Sequence, residues 1–285
     1  MFKILEKEVF SINPRVTMFV IEAPKIAKKA KSGQFVVVRI DDTGERVPLT
    51  VADKDPEKGT VTIVFQEVGK TTAQLGRLDA GDTILDFVGP LGRPTHFDNA
   101  KKIVCVGGGV GVAPIHHIAM GIKEAGIELI SIIGARTKEL LFWEDKLKNL
   151  SDELIVCTDD GSYGRKGFVT EPLKELLEKD KNIDMVIAIG PTIMMKFLCK
   201  TTEPFNAKTL VSLNPIMVDA TGMCGACRVT VGGETKFVCV DGPEFDGHKV
   251  DFDELMQRMA LYKEQEMLSY NKFLNSCGEN CTCSS

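Results

Sequence analysis

The feature that most restricts the fold is an apolar run interrupted by glycines, IVCVGGGVGVAPIHHIAM, at residues 103–120. The residues before the glycines have the length and the β-branched composition of a buried strand, and those after them have the length of an apolar helix. Glycine permits a tight turn between the two, and Pro114 stands near the start of the helix, where its missing N–H costs little. The run therefore predicts a strand, a close turn and a helix, the repeating unit of a parallel α/β sheet.

The same alternation continues from residue 99 to residue 213. Strand patterns (IELISIIGA, ELIVCTDD, MVIAIG, TLVSL) alternate with helical patterns (ELLFWEDKLKNL, EPLKELLEKD, IMMKFLCK). Strands that alternate with helices favour a parallel sheet with right-handed crossovers. We therefore predict a Rossmann-like α/β domain over residues 99–213.

Residues 1–98 carry a different pattern. Short runs rich in valine, isoleucine and phenylalanine, such as TMFVIEA, GQFVVVRI and GTVTIVFQEV, are separated by turn sequences such as DDTGE and PEKGT. Strands at this spacing predict a small antiparallel barrel or sandwich. After the α/β domain, we expect a cysteine-containing subdomain at residues 214–245 and a helical C-terminal extension and tail at residues 246–285.

Composition excludes several classes of function. The chain has 285 residues and a net charge of −5, and its lysines and arginines alternate with acidic residues, so nothing indicates a nucleic-acid surface. No stretch approaches the ~18 uninterrupted apolar residues of a membrane span. The first ten residues, MFKILEKEVF, lack the apolar core of a signal peptide. Nine cysteines without a secretory signal predict a reducing, cytoplasmic compartment.

The glycine-rich turn also has a functional interpretation. Its glycines would let a pyrophosphate approach the backbone, and the helix N-terminus would offer unpaired N–H groups. The spacing of these glycines differs from the G-x-G-x-x-G fingerprint of dinucleotide-binding turns. Taken alone, the glycines are therefore also explained by a tight connection between a strand and a helix. TDDGSYGRKGFVT and IGPTIMM lie at the carboxyl ends of successive strands, where open α/β sheets bind ligands. The three stretches together predict a dinucleotide site.

A further segment, VDATGMCGACRVTVGGETKFVC, has the pattern of a metal site. Cys224, Cys227 and Cys239 are spaced C-x2-C-x11-C. Asp219 stands where a plant-type two-iron centre, C-x4-C-x2-C with a distant fourth cysteine, has its first ligand. A structural zinc site also accepts mixed ligands that include a carboxylate. The residues alone leave iron and zinc open.

Seven motifs occur in one fixed order along nearly the whole chain: RVPLT, VGKTT, VGPLGRP, GGGVGVAP, DDGSYGRKGFVT, IGPTIMM and MCGACRV. In this order they resemble the ferredoxin–NADP reductase-like flavoproteins, and within them the branch containing the electron-transfer subunit of dihydroorotate dehydrogenase B. Within that branch the chain resembles the small subunits of electron-bifurcating NADH-dependent ferredoxin:NADP oxidoreductases. The resemblance implies an N-terminal antiparallel flavin-binding barrel, a parallel-sheet dinucleotide domain and a small iron–sulfur subdomain.

The resemblance implies that FAD binds to the barrel. Arg46 would neutralise a flavin phosphate, and Thr50 would lie beside the reactive edge of the isoalloxazine. The family usually has glycine where Thr71 stands, and without the resemblance Arg46 would be assigned a surface ion pair with Glu45. The implied FAD-binding residues are Arg46, Pro48, Leu49, Thr50, Val64, Phe65, Gln66, Glu67, Gly69, Thr71 and Thr72.

The resemblance also implies where a nicotinamide dinucleotide binds. Asp159 and Asp160 would suit a ribose 2′-hydroxyl, whereas Arg165 and Lys166 would suit a 2′-phosphate, and the resemblance favours NAD(H) over NADP(H). No catalytic acid or base is expected, because the cofactors carry the redox chemistry. The implied dinucleotide-binding residues are Gly107, Gly108, Gly109, Gly111, Ala113, Pro114, Asp159, Asp160, Gly161, Gly190, Pro191 and Met194.

The resembling flavoproteins carry a [2Fe–2S] cluster at the cysteine segment, usually with four cysteines. This resemblance makes Cys224, Cys227 and Cys239 ligands and leaves the first ligand position to Asp219, because no other cysteine lies nearby in the sequence.

The other thiols and the histidines receive no cofactor role. Cys105, Cys157 and Cys199 lie in apolar patterns and are assigned to the core. We assign the pair His116–His117 to helix packing, whereas His96 and His248 have no evident partner. The tail contains Cys277, Cys281 and Cys283, for which a mobile tail is favoured over a second metal site.

The expected function is that of an electron-transfer subunit. It would exchange hydride with NAD(H) and single electrons with a larger flavin- and iron–sulfur-containing subunit, in a heterodimer or higher complex. The chain continues past Cys239 with DGPEFDGHKVDFDELMQRM, which resembles the bifurcating enzyme more than the dihydroorotate dehydrogenase subunit. An alternative from another class is a zinc-stabilised nucleotide-binding protein without redox activity.

Overall fold

The first sheet of the computed structural model, which describes residues 1–276, is a nearly closed antiparallel barrel. Its strands are β1 (Phe2–Ile12), β2 (Arg15–Glu22), β3 (Phe35–Arg39), β4 (Val47–Asp55), β5 (Thr60–Gln66), β6 (Thr83–Ile84) and β7 (Asp86–Leu91). They lie in the order β6-β1-β2-β5-β4-β3-β7. The helices α1 (Pro24–Lys29) and α2 (Lys70–Leu75) fill two connections. The β-branched and aromatic runs supply the core, in which Phe19, Ile63 and Phe65 are fully buried.

The α/β domain follows the alternation expected from the sequence. Its strands are β8 (Lys102–Gly108), β9 (Glu128–Ala135), β10 (Glu153–Thr158), β11 (Arg165–Lys166), β12 (Met185–Ile189) and β13 (Lys208–Ser212), and they pair in parallel. Its helices are α3 (Val112–Glu124), α4 (Glu144–Leu150), α5 (Thr170–Lys179) and α6 (Thr192–Thr202). The central strands are buried on both faces, as parallel sheets covered by helices are.

Helix α4 is shorter than the pattern ELLFWEDKLKNL suggests. Residues Lys138–Leu140 form only a 3-10 turn, and Trp143 has a left-handed backbone with φ of 58°, so the α-helix starts at Glu144. The Trp143 ring packs against Phe142 and lies under the Lys146 ammonium, 4.0 Å from the ring centre. These contacts offset the cost of a left-handed non-glycine residue.

The cysteine segment forms a small unit that joins the second sheet. Strands β14 (Arg228–Val231) and β15 (Glu234–Phe237) form a hairpin, and the short helix α7 (Val238–Asp241) follows it. Strand β16 (Glu244–Asp246) then pairs antiparallel with β13, so the second sheet has the order β11-β10-β9-β8-β12-β13-β16. The cysteine segment is therefore anchored to the edge of the α/β sheet.

The C-terminal extension is helical, as expected. It consists of α8 (Phe252–Met259), where the Asp251 side chain caps the Glu254 N–H, and α9 (Lys263–Ser276). In α9, the Phe273 ring lies 4.0 Å from the Arg77 guanidinium of the barrel. The three tail cysteines, Cys277, Cys281 and Cys283, lie outside the described residues. Within residues 1–276, no helix has the length and apolar character needed to cross a membrane.

The barrel and the α/β domain meet where β4 contacts α3. The pairing of β4 with β5 shifts between Val51 and Asp53, which indicates a bulge. The carbonyl of Val51 lies 3.0 Å from His117 Nδ1, and the carbonyl of Ala52 lies 3.0 Å from His116 Nδ1. Because a carbonyl only accepts, both imidazoles donate from Nδ1.

Burial lowers the pKa of both imidazoles, and it lowers that of His117 to about 4. Lys54 also lowers the pKa of His117, whereas Asp53 acts in the opposite direction. The two histidines are therefore neutral at pH 7 and belong to the domain contact, as their assignment to helix packing anticipated.

Candidate functional site

A cavity of about 950 Å³ lies between the barrel and the carboxyl ends of the α/β strands. Strands β4 and β5 form one wall, and the turns after β8, β9, β10 and β12 form the other. The lining is mostly apolar, and the volume lies within the range of cavities that hold small ligands. The fold therefore places one large site where both predicted nucleotide-binding regions meet.

Seven of the residues proposed for FAD line this cavity. Strand β4 contributes three of them, and the cross-strand partner of Thr50 is Phe35, which also lines the cavity. Strand β5 contributes three more, and the first turn of α2 contributes one. These residues are Pro48, Leu49, Thr50, Val64, Phe65, Gln66 and Thr72.

The other four lie outside the cavity lining: Arg46, Glu67, Gly69 and Thr71. The Thr71 hydroxyl donates to Glu45 Oε2 at 2.7 Å, so Glu45 is bound by a threonine and not by Arg46. Glu67 forms an ion pair with Arg15 at 3.1 Å, and burial raises the pKa of its carboxyl. Glu67 therefore has a structural role inside the barrel wall.

Eight of the residues proposed for the dinucleotide line the opposite wall: Gly108, Gly109, Gly111, Pro114, Asp159, Gly190, Pro191 and Met194. The glycines of this wall also have a packing role. A Cβ atom on Gly111 would lie 2.2 Å from the carbonyl oxygen of Ile189, and one on Gly108 would lie 2.3 Å from the Met194 sulfur. The turn after β8 therefore packs directly against the turn after β12. The same glycines thus form both the tight connection and the cavity wall.

Four of the proposed dinucleotide residues lie outside the cavity lining: Gly107, Ala113, Asp160 and Gly161. The Asp160 carboxylate accepts hydrogen bonds from the Ser162 hydroxyl and N–H, and these bonds lower the pKa of its carboxyl. Asp159 faces the cavity instead. Desolvation raises the pKa of its carboxyl, and the charge of Arg136 acts in the opposite direction. Of these two acidic residues, Asp159 is therefore the one available to a ligand in the cavity.

Arg136, which none of the sequence motifs includes, lines the cavity directly after the end of β9. Arg165, the candidate for a 2′-phosphate, instead forms a double hydrogen bond with Glu175 at 2.8 and 2.6 Å. The position of Arg136 after the GA of IELISIIGA, at a strand carboxyl end, was the available signal.

Several apolar lining residues were also missed. Phe142, Phe168, Ile193, Phe197, Leu213, Met217 and Pro243 all contact the cavity. Leu213, Met217 and Pro243 belong to or flank the cysteine segment, and the Leu213 N–H donates to the carbonyl of Pro243 at 2.9 Å. The cysteine segment therefore forms part of the cavity wall, which brings the two predicted sites next to each other.

The four proposed cluster ligands come together as two pairs. The Cys224 thiol lies 3.2 Å from Asp219 Oδ1, and the Cys227 and Cys239 sulfurs lie 3.3 Å apart. The Asp219 carboxylate also accepts the N–H groups of Thr221 and Cys224, which lower the pKa of its carboxyl. Burial raises the pKa of the Cys239 thiol to about 12.

This arrangement fits the four protein ligands that a two-iron cluster would take. Each iron would be held by two of them, and Asp219 with Cys224 and Cys227 with Cys239 would supply the two pairs.

The remaining thiols and histidines lie away from these sites. Cys105, Cys157 and Cys199 are free and buried, as their assignment to the core predicted. His248 Nε2 lies 2.8 Å from the Thr202 hydroxyl, a partner that the sequence did not reveal.

Comparisons with known proteins agree with this geometry. Residues 214–251 match the iron–sulfur cluster binding domain of dihydroorotate dehydrogenase B, and residues 105–200 match the oxidoreductase NAD-binding domain. The matches confirm that the chain has an NAD-binding domain and an iron–sulfur domain, as predicted.

Relatives and solved structures match much more of the chain. A dihydroorotate dehydrogenase B (NAD(+)) electron transfer subunit homolog from Thermotoga maritima is 53% identical over 262 residues, 92% of each chain. The corresponding subunit from Streptococcus mutans is 32% identical and covers 85% of this chain and 95% of its own length. A chain of the NADH-dependent reduced ferredoxin–NADP oxidoreductase, solved in a study of flavin-based electron bifurcation, is 50% identical. It superimposes with a TM-score of 0.90 over 96% of this chain and 98% of its own. The predicted fold is confirmed.

Proposed function

The chain belongs to the family of dihydroorotate dehydrogenase B electron-transfer subunits, and we propose that it acts as the small subunit of an electron-bifurcating NADH-dependent ferredoxin:NADP oxidoreductase. The extent of the structural match carries this proposal. The iron–sulfur family match ends at residue 251, whereas the ferredoxin–NADP oxidoreductase chain covers 96% of this chain. The uncovered 4% is shorter than the segment after residue 251, so the match includes part of the C-terminal extension.

We propose that the chain binds FAD, NAD(H) and a [2Fe–2S] cluster. When bound, a flavin exchanges two electrons as hydride with a nicotinamide and single electrons with an iron–sulfur cluster. The chain's own residues bind and orient these groups, and its mostly apolar cavity walls exclude water. No side chain is required as a general acid or base.

For FAD, the proposal rests on the barrel wall. Pairing of β4 with β3 fixes Thr50, and pairing of β5 with β2 fixes Gln66, so both residues are positioned in the cavity before a ligand arrives. We propose that Thr71 and Thr72, in the first turn of α2, offer N–H groups to the pyrophosphate, whereas the Gly69 N–H already donates to the Thr72 hydroxyl at 3.2 Å. Arg46 is exposed and not part of the lining, so we expect it to reach a phosphate only at the cavity edge.

For NAD(H), the proposal rests on the opposite wall. The glycine turn after β8 and the Gly190–Pro191 turn after β12 contact each other and leave backbone facing the cavity. Asp159 suits the hydroxyls of a ribose, and Arg165 is held by Glu175. This combination favours NAD(H) over NADP(H).

For the cluster, we propose Asp219, Cys224, Cys227 and Cys239 as ligands. The two close pairs support this set, and a carboxylate keeps the −1 charge of the thiolate that it replaces. Asp219→Cys should keep the absorption and EPR signature of a two-iron centre and change its reduction potential. An unaltered spectrum together with an unaltered potential would show that Asp219 is not a ligand.

We propose that the partner is a larger subunit that contains flavin and iron–sulfur clusters. The relatives named as electron transfer subunits support a partner, and the structural match supports its type. We also propose a cytoplasmic location, because all six described cysteines are free thiols.

The second candidate is the electron-transfer subunit of a dihydroorotate dehydrogenase B. The iron–sulfur family match and the names of the relatives favour it. The zinc alternative has no such support, because the matched domain is an iron–sulfur domain.

Copurification of the tagged chain from its own cells separates the two candidates. A large partner with flavin and additional iron–sulfur clusters, together with NADH-dependent reduction of NADP by reduced ferredoxin, is expected. Recovery of a dihydroorotate-oxidising dehydrogenase instead would establish the second candidate. Flavin, iron, sulfide and zinc are measured in the same preparation, and zinc without flavin would contradict both.

A further inference from the structure

Two arginines donate to the backbone between the first two cysteines of the metal site. Arg228 Nη1 lies 3.2 Å from the carbonyl oxygen of Gly225, and Arg258 Nη2 lies 3.2 Å from that of Ala226. Arg228 begins strand β14, whereas Arg258 comes from α8 in the C-terminal extension, beyond the end of the iron–sulfur family match at residue 251. Both internal carbonyls of the C-G-A-C loop are therefore bound by guanidinium groups.

A third arginine makes a similar contact on the other side of the segment. Arg93, which follows the last barrel strand, places Nε 3.1 Å from the carbonyl oxygen of Val240, the residue after Cys239. Its guanidinium also lies 3.5 Å from the Asp241 carboxylate. Arg93 thus makes a comparable backbone contact, but an adjacent acid offsets its charge.

The carbonyl contacts determine where the neighbouring N–H groups point. A trans peptide holds its C=O and its N–H on opposite sides. Because guanidinium groups bind the Gly225 and Ala226 oxygens, the N–H groups of Ala226 and Cys227 point away from those arginines. Neither N–H has a hydrogen-bond partner within residues 1–276. The Cys239 N–H already lies 3.4 Å from the Cys227 sulfur, so this segment does use backbone N–H groups as donors to ligand sulfur.

The charges of Arg228 and Arg258 are not offset in the way that the charge of Arg93 is. Within the described part of the chain, neither forms an ion pair with a carboxylate. Arg258 is half-buried and Arg228 is exposed. A nearby cation stabilises the reduced form of a cluster, which carries one more negative charge, and the effect is larger where solvent screens it less.

We propose that Arg228 and Arg258 are positioning residues for the cluster, which hold the Gly225 and Ala226 carbonyls outward and raise the reduction potential of the cluster. The N–H groups of Ala226 and Cys227, on the opposite side of these peptides, would then be free to donate hydrogen bonds to a bound cluster. This inference rests on the proposed electron-transfer function. It also gives the C-terminal extension a role at the metal site, through Arg258.

A redox titration followed by EPR, on the full chain purified with its cofactors, tests the proposal. Arg258→Gln should lower the equilibrium constant for cluster reduction about tenfold, which is about 59 mV for a one-electron couple. Arg228→Gln should lower it about threefold, because solvent screens an exposed charge. Arg93→Gln should have the smallest effect, because Asp241 already offsets that charge. Arg258→Lys keeps the charge and should restore most of the potential.

Lys174→Gln is the matched control, because it removes one positive charge from the exposed face of α5. It should keep the wild-type potential. A wild-type potential in both Arg258→Gln and Arg228→Gln, with full iron content, would overturn the inference. Loss of iron from Arg258→Gln but not from Lys174→Gln would support the proposal that Arg258 holds the cluster loop in place. The effect of charge on the reduction potential would then be measured in Arg228→Gln. Zinc in place of iron in the wild-type protein would overturn the proposed function and the inference with it.

Discussion

The cavity and the cysteine segment differ in what holds them in shape. Most of the cavity wall comes from strands of two seven-stranded sheets, whose backbone groups are paired before any ligand is present, and from the turns that follow those strands. Residues 213–227 contain no helix or strand. In this loop Ala220, Gly222 and Gly225 have φ values of 60°, 85° and 66°, and a left-handed alanine costs about 1–2 kcal/mol.

This contrast separates a preformed site from one that depends on its ligand. Cavity residues such as Thr50 are fixed by strand pairing and by core packing behind them. The loop has Cys224 exposed and few backbone bonds. Bonds to a metal centre can supply the missing stabilisation, because the free energy of metal binding is also folding free energy. The loop should therefore respond to loss of the metal, whereas the barrel wall and the α/β wall of the cavity should not, although Leu213 and Met217 of the loop complete the lining.

The largest expected effect comes from Cys239→Ala. This change removes one member of the buried Cys227–Cys239 pair, so the cluster should be lost completely while the cavity still binds flavin. Iron and sulfide content should fall to background, and limited proteolysis should cut within residues 213–227. The flavin content per chain should stay at the wild-type value.

Cys157→Ala is the matched control for Cys239→Ala, since it also removes a buried free thiol but from a strand of the α/β sheet. It should keep full iron content and lose only the packing of one sulfur atom. Loss of flavin together with the cluster in Cys239→Ala would contradict the separation of the two sites.

The second prediction concerns the preformed wall. In Gly111→Ala the new Cβ would lie 2.2 Å from the carbonyl oxygen of Ile189, so the two nucleotide turns must separate. We expect a loss of about 3 kcal/mol of unfolding free energy and loss of NADH binding. The measurements are denaturant unfolding and NADH titration, with iron content unchanged.

Gly109→Ala sharpens that test. Gly109 has φ of 55°, and a Cβ there would meet no atom within 4 Å. We expect a cost of about 1 kcal/mol from the backbone conformation alone. An equal loss of stability in the two variants would show that the contact between the turns is not what Gly111 preserves.

The sequence was sufficient to predict the architecture because its strongest signals are local. The strand–glycine–helix run predicted β8 and α3, and alternating strands and helices predicted the parallel sheet. The start of α4 was wrong, because contacts of Trp143 with Phe142 and Lys146 outweigh the helical pattern there. Those partners lie within a few residues, but no periodicity reveals a left-handed residue.

The sites were only partly predictable. Motifs identified Thr50 and the glycine turn, but not the apolar residues that complete the wall, because ordinary hydrophobic residues carry no distinguishing pattern. The FAD-binding residues implied by the resemblance also included Glu67, which the structure places in an ion pair with Arg15. The pairing of Asp219 with Cys224 depends on the fold of a loop with left-handed residues, which spacing alone does not determine.

The third prediction uses two titratable groups, the buried His117 and the half-buried Glu244, whose ionisation affects stability in opposite directions. Burial lowers the pKa of His117 from 6.5 to about 4, so its contribution to stability is present above pH 6.5 and is lost as the pH falls toward 4. Burial raises the pKa of Glu244 from 4.5 to about 7, so its contribution is present below pH 4.5 and is lost as the pH rises toward 7. Each shift corresponds to about 3 kcal/mol.

His117 lies at the domain contact behind the cavity, whereas Glu244 accepts from the Thr95 hydroxyl, at 2.7 Å, beside the cysteine segment. The two effects offset each other between about pH 4.5 and 6.5. Glu244→Gln should therefore lose stability as the pH falls through this window, and His117→Asn should lose it as the pH rises. Denaturant unfolding at several pH values measures both slopes. Parallel slopes in the two variants would contradict this assignment.

The smallest expected effects separate two arginines on the dinucleotide side. Arg136 lines the cavity near Asp159, so Arg136→Ala should weaken NADH binding about tenfold, which is about 1.4 kcal/mol. Arg165 is held by Glu175 outside the lining, and an exposed ion pair contributes at most about 1 kcal/mol to stability. Arg165→Ala should therefore leave the NADH dissociation constant within about twofold of the wild-type value. If Arg165→Ala instead weakened NADH binding more than Arg136→Ala, the preformed wall would have to include the β11 edge, and the preference for NAD(H) could not be explained by the Arg165–Glu175 pair.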